Sequence, residues 1–265
     1  MIANYHTHTA RCGHARGEDR AYVEAAIARG LKIMGFSDHV TMPFPDGHDS
    51  YFRIPRARLE EYVESVLSLR QEYASDIRIL LGFEAEYYPD LFEPLMELLA
   101  PFPVDYLLLG QHYNGSEEQD QNQKPSDSEA RLVTYVDRIL AGLATGRFSY
   151  VCHPDLIHFT GDPAIYEREM RRLIRGVKAM DYPLEINLLG IREERNYPCP
   201  AFWELVRGSG IKTIIGCDAH DPEDMAEPGQ FQAAKDFAAR FDLKPETIIP
   251  IKSPKTGESI WVESL

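Results

Sequence analysis

The sequence is short of basic residues: 28 Lys and Arg stand against 42 Asp and Glu, leaving a formal charge of −14 over 265 residues. Such a field repels polyanions, so neither duplex nucleic acid nor an anionic membrane surface fits as a partner. A small anionic substrate remains compatible, provided a local positive charge captures it. Cysteine is scarce as well. Cys12, Cys152, Cys199 and Cys217 form no CxxC pair, which gives no disulfide framework and points to a reduced setting. No apolar run approaches the roughly 20 residues of a membrane span, and the first residues carry no basic-then-apolar leader. A cytoplasmic location is expected. Internal repeats and linker-like shifts of composition are also missing, so one domain over residues 1–265 is expected, a length natural for a single α/β barrel.

What is present is a rhythm of short apolar run, polar loop and amphipathic helix, repeated about seven times. Strand-like runs lie at Asn4–Tyr5, Lys32–Phe36, Ile77–Phe83, Tyr106–Leu109, Ser149–Cys152, Pro183–Ile186 and Lys212–Ile215. Helical patterns follow at Arg20–Arg29, Arg56–Tyr73, Leu91–Leu99, Ser128–Thr145, Tyr166–Met180, Ala201–Val206 and Gln230–Arg240. In the second helix Leu59, Val63, Val66 and Leu67 recur at i, i+4, i+7 and i+8, a stripe suited to packing on a sheet. Alternating strands and helices imply right-handed βαβ units around a parallel sheet. Two loops, Val40–Pro55 and Tyr113–Asp127, are longer than connection requires, and the tail suggests a hairpin around Thr256–Gly257.

The segment after nearly every strand run opens with a side chain able to ligate a metal. The first run leads into "HTHTARCGH" (His6, His8, His14), the second into "SDH" (His39), the third into "EAE" (Glu84, Glu86) and the fourth into "GQH" (His112). The fifth ends in "CHPD" (His153, Asp155), the sixth in "EINLLG" (Glu185, Asn187) and the seventh in "GCDAH" (Asp218, His220). In a closed parallel barrel these strand ends converge on one face. The spacing i, i+2 of His6/His8, Glu84/Glu86 and Asp218/His220 lets both members of each pair aim into that face. By the same parity Cys152 and Cys217 are expected to point outward as small buried hydrophobes. Asp38 and Glu86 suit the orienting of ligands, His48 and His158 read as loop or surface residues, and Glu185 suits either a substrate cation or core hydrogen bonding.

In order along the chain, "HTHT", "CGHA", "GFSDH", "GFEAEY", "LLGQHY", "CHPD", "LEINLLGIR" and "GCDAH" resemble the polymerase-and-histidinol-phosphatase (PHP) family, in particular its histidinol-phosphate phosphatase branch. The resemblance implies a distorted seven-unit (β/α)7 TIM-like barrel with a trinuclear metal centre at the C-terminal ends of the strands. It implies His6, His8, His14, His39, Glu84, His112, His153, Asp218 and His220 as ligands, Glu84 bridging two ions. His6, His8 and Asp218 would surround the first, His112 and His153 would complete the second, and His14, His39 and His220 would serve the third. The activity implied is hydrolysis of L-histidinol phosphate in histidine biosynthesis, with metal-bound hydroxide as nucleophile.

Three divalent ions, two carboxylates and one hydroxide leave roughly +3 at such a centre, enough to draw a phosphate dianion into an acidic protein. The nitrogen and oxygen donors suit Zn, Mn or Fe(II) without choosing among them. Asp218 or His220 is expected to assist proton transfer to the leaving oxygen. Arg192 matches a phosphate-binding arginine of the family, with Arg195, Arg11 and Arg16 as secondary candidates. Some members carry a second such arginine two residues after the strand-five histidine, where this chain has Asp155. Alternatives are another small phosphomonoester or a nucleotide as substrate, a nucleic-acid 3′-end exonuclease module, or a non-catalytic metal-binding domain. The acidic balance weighs against the nucleic-acid reading, and the complete ligand set against the last.

Overall fold

A computed structural model describes residues 1–115, 117 and 121–260. Seven short parallel strands run in sequence order around a barrel: β1 Ala3–Asn4, β2 Ile33–Phe36, β3 Arg78–Ala85, β4 Tyr106–Leu109, β5 Tyr150–Val151, β6 Leu184–Asn187 and β7 Thr213–Gly216. Each strand pairs in parallel with the next. The circle is nearly closed between β7 and β1 by a single bridge, Thr7 to Ala219, with His8 N donating to Ala219 O at 2.9 Å. One turn further down, the Asn4 side chain stands in for the missing ladder by accepting from Cys217 N at 2.9 Å.

The helices between the strands are α1 Asp19–Ala28, α2 Leu59–Glu72, α3 Phe92–Leu99, α4 Glu129–Ala144, α5 Pro163–Ala179, α6 Leu188–Arg192, α7 Pro200–Val206 and α8 Pro228–Arg240. Local chemistry sets several of their starts. Ser128 caps α4 by accepting from Arg131 N. Asp162 caps α5 with Pro163 in the first turn, which starts that helix three residues before its apolar periodicity does. The five-residue α6, capped by Asn187, has no amphipathic pattern and is not legible as a helix in the sequence.

Alternation along the strands divides the core in two. Tyr5, Ile33, Leu80, Tyr106, Leu108, Tyr150 and Ile214 fill the barrel, while Phe36, Leu81, Phe83, Leu107, Val151 and Ile215 pack outward against the helices. Ile249 and Ile251 close the N-terminal end of the barrel, where Tyr5 Oη donates to Ile249 O. Ile251 belongs to β8 (Ile251–Lys252), which pairs antiparallel with β9 (Ser259–Ile260) in the expected tail hairpin. Residues 116, 118–120 and 261–265 of the two polar segments noted above lie outside the described residues. Among the described residues no helix is long and apolar enough to cross a membrane.

One parity expectation is overturned. Cys217 does face outward, its sulfur against Met1 and Ala226 N, but Cys152 belongs to the barrel interior, 3.1 Å from Glu84 Oε1. The reason is backbone. His153 has a left-handed φ of 31°, which turns its ring inward although its inward-facing neighbour would require the opposite.

Candidate metal centre

All nine side chains expected to ligate metal meet at the C-terminal mouth of the barrel. Glu84 is the hub. It points inward from β3 and is 1% exposed. Its Oε1 lies 2.7 Å from His153 Nε2 and 3.6 Å from His112 Nε2. Its Oε2 lies 3.0 Å from His39 Nδ1 and 3.5 Å from both His6 Nε2 and His8 Nε2. Room for this carboxylate comes from Gly110 on the neighbouring segment, where a Cβ would lie 1.9 Å from Glu84 Oε1 and 2.8 Å from Cys152 Sγ.

Beside the hub, His6 Nε2 and His8 Nε2 approach to 3.2 Å, and Asp218 Oδ1 lies 3.5 Å and 3.0 Å from them. Both rings are oriented from behind by carboxylates. Glu185 Oε1 takes the Nδ1–H of His6 at 2.9 Å, and Asp38 Oδ1 faces His8 Nδ1 at 3.3 Å. With Nδ1 engaged, each Nε2 turns its lone pair toward the same point, an arrangement that suits a shared cation. Farther along, the ring of His220 stacks on His8 at 4.1 Å and lies 4.7 Å from His14. Nδ1 of His220 is held by Asp218 O, and Nδ1 of His14 by Cys12 O.

The electrostatics call for positive charge. Burial pushes the Glu84 and Asp218 carboxyls up, but the surrounding imidazoles, His112, His39, His153 and His6 for Glu84, overcome it and hold both well below the usual range. Burial also opposes charge on His6 and His8, yet the carboxylates around them raise both well above the ordinary imidazole value. Burial instead dominates at His39 and His220, which are lowered, and at His112, lowered to about 3. Among the described residues the buried Glu84 Oε2 has no hydrogen-bond donor although three imidazoles surround it, and His153 Nδ1 has no partner there either. Donor atoms of His6, His8 and Asp218, of His8, His39 and His220, and of His6, Glu84, Cys152 and His153 each fall within 4.8 Å of one another, so these groups fit divalent ions.

The mouth opens into a cavity of about 420 Å³ lined by His14, His39, Glu84, His112, Asp218 and His220 on its floor. Its walls include Tyr51 and Phe52 from the first long loop, Tyr113, Gln121 and Gln123 from the second, and Arg195 and Tyr197 past α6. Phe52 stacks on Tyr113 at 5.4 Å, and Tyr51 Oη lies 2.8 Å from Tyr113 Oη, so the two loops meet over the site.

Of the four arginines expected near phosphate, the structure brings Arg195 alone into the cavity wall. Arg192 is turned behind the wall, 3.1 Å from Asp224 and 3.3 Å from Gln230. Arg11 is held bidentate by Asp19, at 2.9 and 2.7 Å, and by Glu61, facing α1 and α2. Arg16 is exposed beside Asp221. The sequence reading put Arg192 first; the structure places it outside the cavity lining and Arg195 within it. Asp155 faces away from the cavity, accepting from Cys199 N and Trp203 Nε1, and burial lifts its carboxyl to about 7. Glu185 is wholly buried behind His6 and also accepts from His153 N and Asn187 Nδ2, which is the core hydrogen-bonding role. His48 pairs with Asp46 at the surface. Sequence reasoning missed Phe52, Tyr113 and Tyr197 as wall residues and overlooked Arg53, the buried cation beneath the loops. The length of the two loops is the signal that pointed toward them.

Comparison with known proteins agrees with this geometry. The sequence profile of the PHP domain matches residues 4–188. The probable histidinol-phosphatase of Deinococcus radiodurans is 29% identical over 235 residues, covering 84% of this chain and 88% of that protein. The probable histidinol-phosphatase of Schizosaccharomyces pombe is 25% identical over 253 residues, covering 85% and 82%. The crystal structure of histidinol phosphate phosphatase from Lactococcus lactis, complexed with zinc, L-histidinol and phosphate, superposes with a TM-score of 0.71 at 19% identity over 98% of both chains. That likeness establishes the TIM-like fold.

Proposed function

The chain belongs to the PHP-domain family, and on that premise we propose that it is a metal-dependent phosphomonoesterase that converts L-histidinol phosphate and water to L-histidinol and phosphate. The observation that carries this reading is Glu84, a buried carboxylate set among five imidazoles, with Asp218 beside it. The names of the D. radiodurans and S. pombe relatives support the substrate.

We assign His6, His8, Glu84 and Asp218 to one divalent ion, Glu84, His112 and His153 to a second, and His14, His39 and His220 to a third, with Zn, Mn and Fe all compatible. Such ions supply a nucleophile at neutral pH and neutralise charge on the phosphoryl oxygens. The protein's own groups do the rest. Arg195 lines the cavity, its guanidinium held by Glu193 Oε2 at 2.8 and 2.6 Å and by Tyr197 Oη at 2.9 Å, and we assign it to the phosphate oxygens by exchange of that carboxylate, ahead of Arg192, which pairs with Asp224 outside the lining. Phe52, Tyr113 and Tyr197 give the cavity aromatic walls against which the imidazole of the departing histidinol packs, and the meeting of the two loops limits access of bulk water. Asp218 and His220 lie at the cavity floor, within reach of a proton bound for the leaving oxygen.

The test is phosphate release from L-histidinol phosphate by zinc- or manganese-loaded protein, alongside nucleoside monophosphates, with metal content measured on the same sample. A kcat/KM of about 10⁴ M⁻¹s⁻¹ or more on L-histidinol phosphate is expected. A value orders of magnitude lower in a metal-replete sample would discard the substrate, and metal content near zero would discard the centre.

A further inference from the structure

Arg53 is 2% exposed, the most deeply buried arginine or lysine among the described residues. A guanidinium in such a place is costly unless its donors are matched. Here they are divided among separate parts of the fold. Nη2 is ion-paired with Glu86 at the end of β3, and Nε donates to Glu117 Oε1 of the second loop at 2.7 Å. Nη1 reaches back to Val40 O at the start of the first loop, and the guanidinium lies over the Phe52 ring at 4.5 Å. The two carboxylates have different neighbours. Glu86 Oε1 accepts from His112 N at 3.0 Å and faces His112 Nδ1 at 3.4 Å, so it fixes the ring whose Nε2 points at Glu84. Glu117 belongs to the loop that contributes Tyr113, Gln121 and Gln123 to the cavity wall.

We infer that Arg53 is a positioning residue that sets the His112 imidazole through Glu86 and latches the second loop over the cavity through Glu117. The ligand half of this inference rests on the reading of His112 as a metal ligand; the latch half does not. The geometry requires an arginine. A lysine keeps the charge but has one ammonium, which cannot offer Glu86 and Glu117 the separate, fixed donors Nη2 and Nε of a planar group while packing flat on Phe52.

The experiment compares the full-length protein with Arg53→Lys and Glu117→Gln by zinc titration against a chromophoric chelator and by hydrogen exchange at Tyr113, Asn114, Gln121 and Asn122. Arg53→Lys should weaken one zinc equivalent about 10- to 100-fold, the usual cost of removing a group that orients a ligand, and speed exchange at those amides. Glu117→Gln should leave zinc affinity unchanged and still speed exchange. An Arg53→Lys protein with the parent's zinc titration and exchange overturns the inference. Should that variant not fold, unchanged exchange in Glu117→Gln overturns the latch on its own. If the unaltered protein takes up no zinc, the phosphatase reading fails separately, while faster exchange in both variants still supports the latch.

Discussion

Gly110 carries no chemistry, yet the structure makes it a determinant of metal binding. A methyl group placed on its Cα would sit 1.9 Å from Glu84 Oε1 and 2.8 Å from Cys152 Sγ. Neither neighbour can retreat, because both are buried in the barrel interior. In Gly110→Ala the Glu84 carboxylate must therefore leave its place between His153 and His39. Overpacking of this kind costs about 1–3 kcal/mol, which for a chain of this size is roughly 2–12 °C in Tm. The functional cost should be larger, with metal content falling by at least one equivalent and phosphatase turnover by about 10²-fold or more. Elemental analysis, a thermal melt followed by circular dichroism and single-substrate kinetics report the three quantities. A sharper check is the Glu84→Asp background, where the shorter carboxylate already stands clear of position 110. There Gly110→Ala still meets Cys152 Sγ at 2.8 Å but displaces less of the carboxylate, so its further loss of metal and turnover should be smaller than in the parent, a departure from additivity. A Gly110→Ala protein with full metal content and turnover, or strict additivity in the double variant, would refute the reasoning.

Other expectations follow from the same geometry. Arg195→Ala should raise KM about 10- to 100-fold with kcat largely kept, since a charged hydrogen bond to phosphate contributes about 1.5–3 kcal/mol, whereas Arg192→Ala should leave KM within about twofold; steady-state kinetics on the two variants separate the assignments. Glu185→Gln preserves shape but removes the charge that orients His6, so zinc affinity should fall about 10- to 100-fold in a chelator competition, and an unchanged titration would reduce Glu185 to packing. Stripping metal should lower Tm by several degrees, because ligand present at about 100 times its Kd stabilises by about 2.7 kcal/mol. A Tm insensitive to chelator would mean that the centre holds no ion of consequence.

Much of this was legible in the sequence, and the parts that were not share a cause. Strand and helix order followed from periodicity, which acts locally. That the nine candidate ligands, named from the family resemblance, would gather in one place was legible because a parallel barrel maps every strand end to one mouth, whatever its closure. The inward turn of Cys152 was hidden because the left-handed backbone at His153 breaks the alternation on which parity rests. The surroundings of the arginines were hidden too, since Arg192 meets Asp224 and Gln230 and Arg11 meets Asp19 and Glu61, partners 8 to 50 residues away. Arg53 went unnoticed because a lone arginine in a long polar loop gives no sign that two carboxylates from elsewhere enclose it.

The seam between β7 and β1 has a consequence for how the barrel opens. Backbone pairing is thin there, a single bridge between Thr7 and Ala219, while side-chain donors are dense, with His6 and His8 on one lip and Asp218 and His220 on the other. Ions held between those lips would act as a clasp across this thin join of the ring. Breathing of the barrel and escape of metal then become one event, and the exchange rate of the His8 amide, bonded to Ala219 O, should track metal off-rate instead of global unfolding.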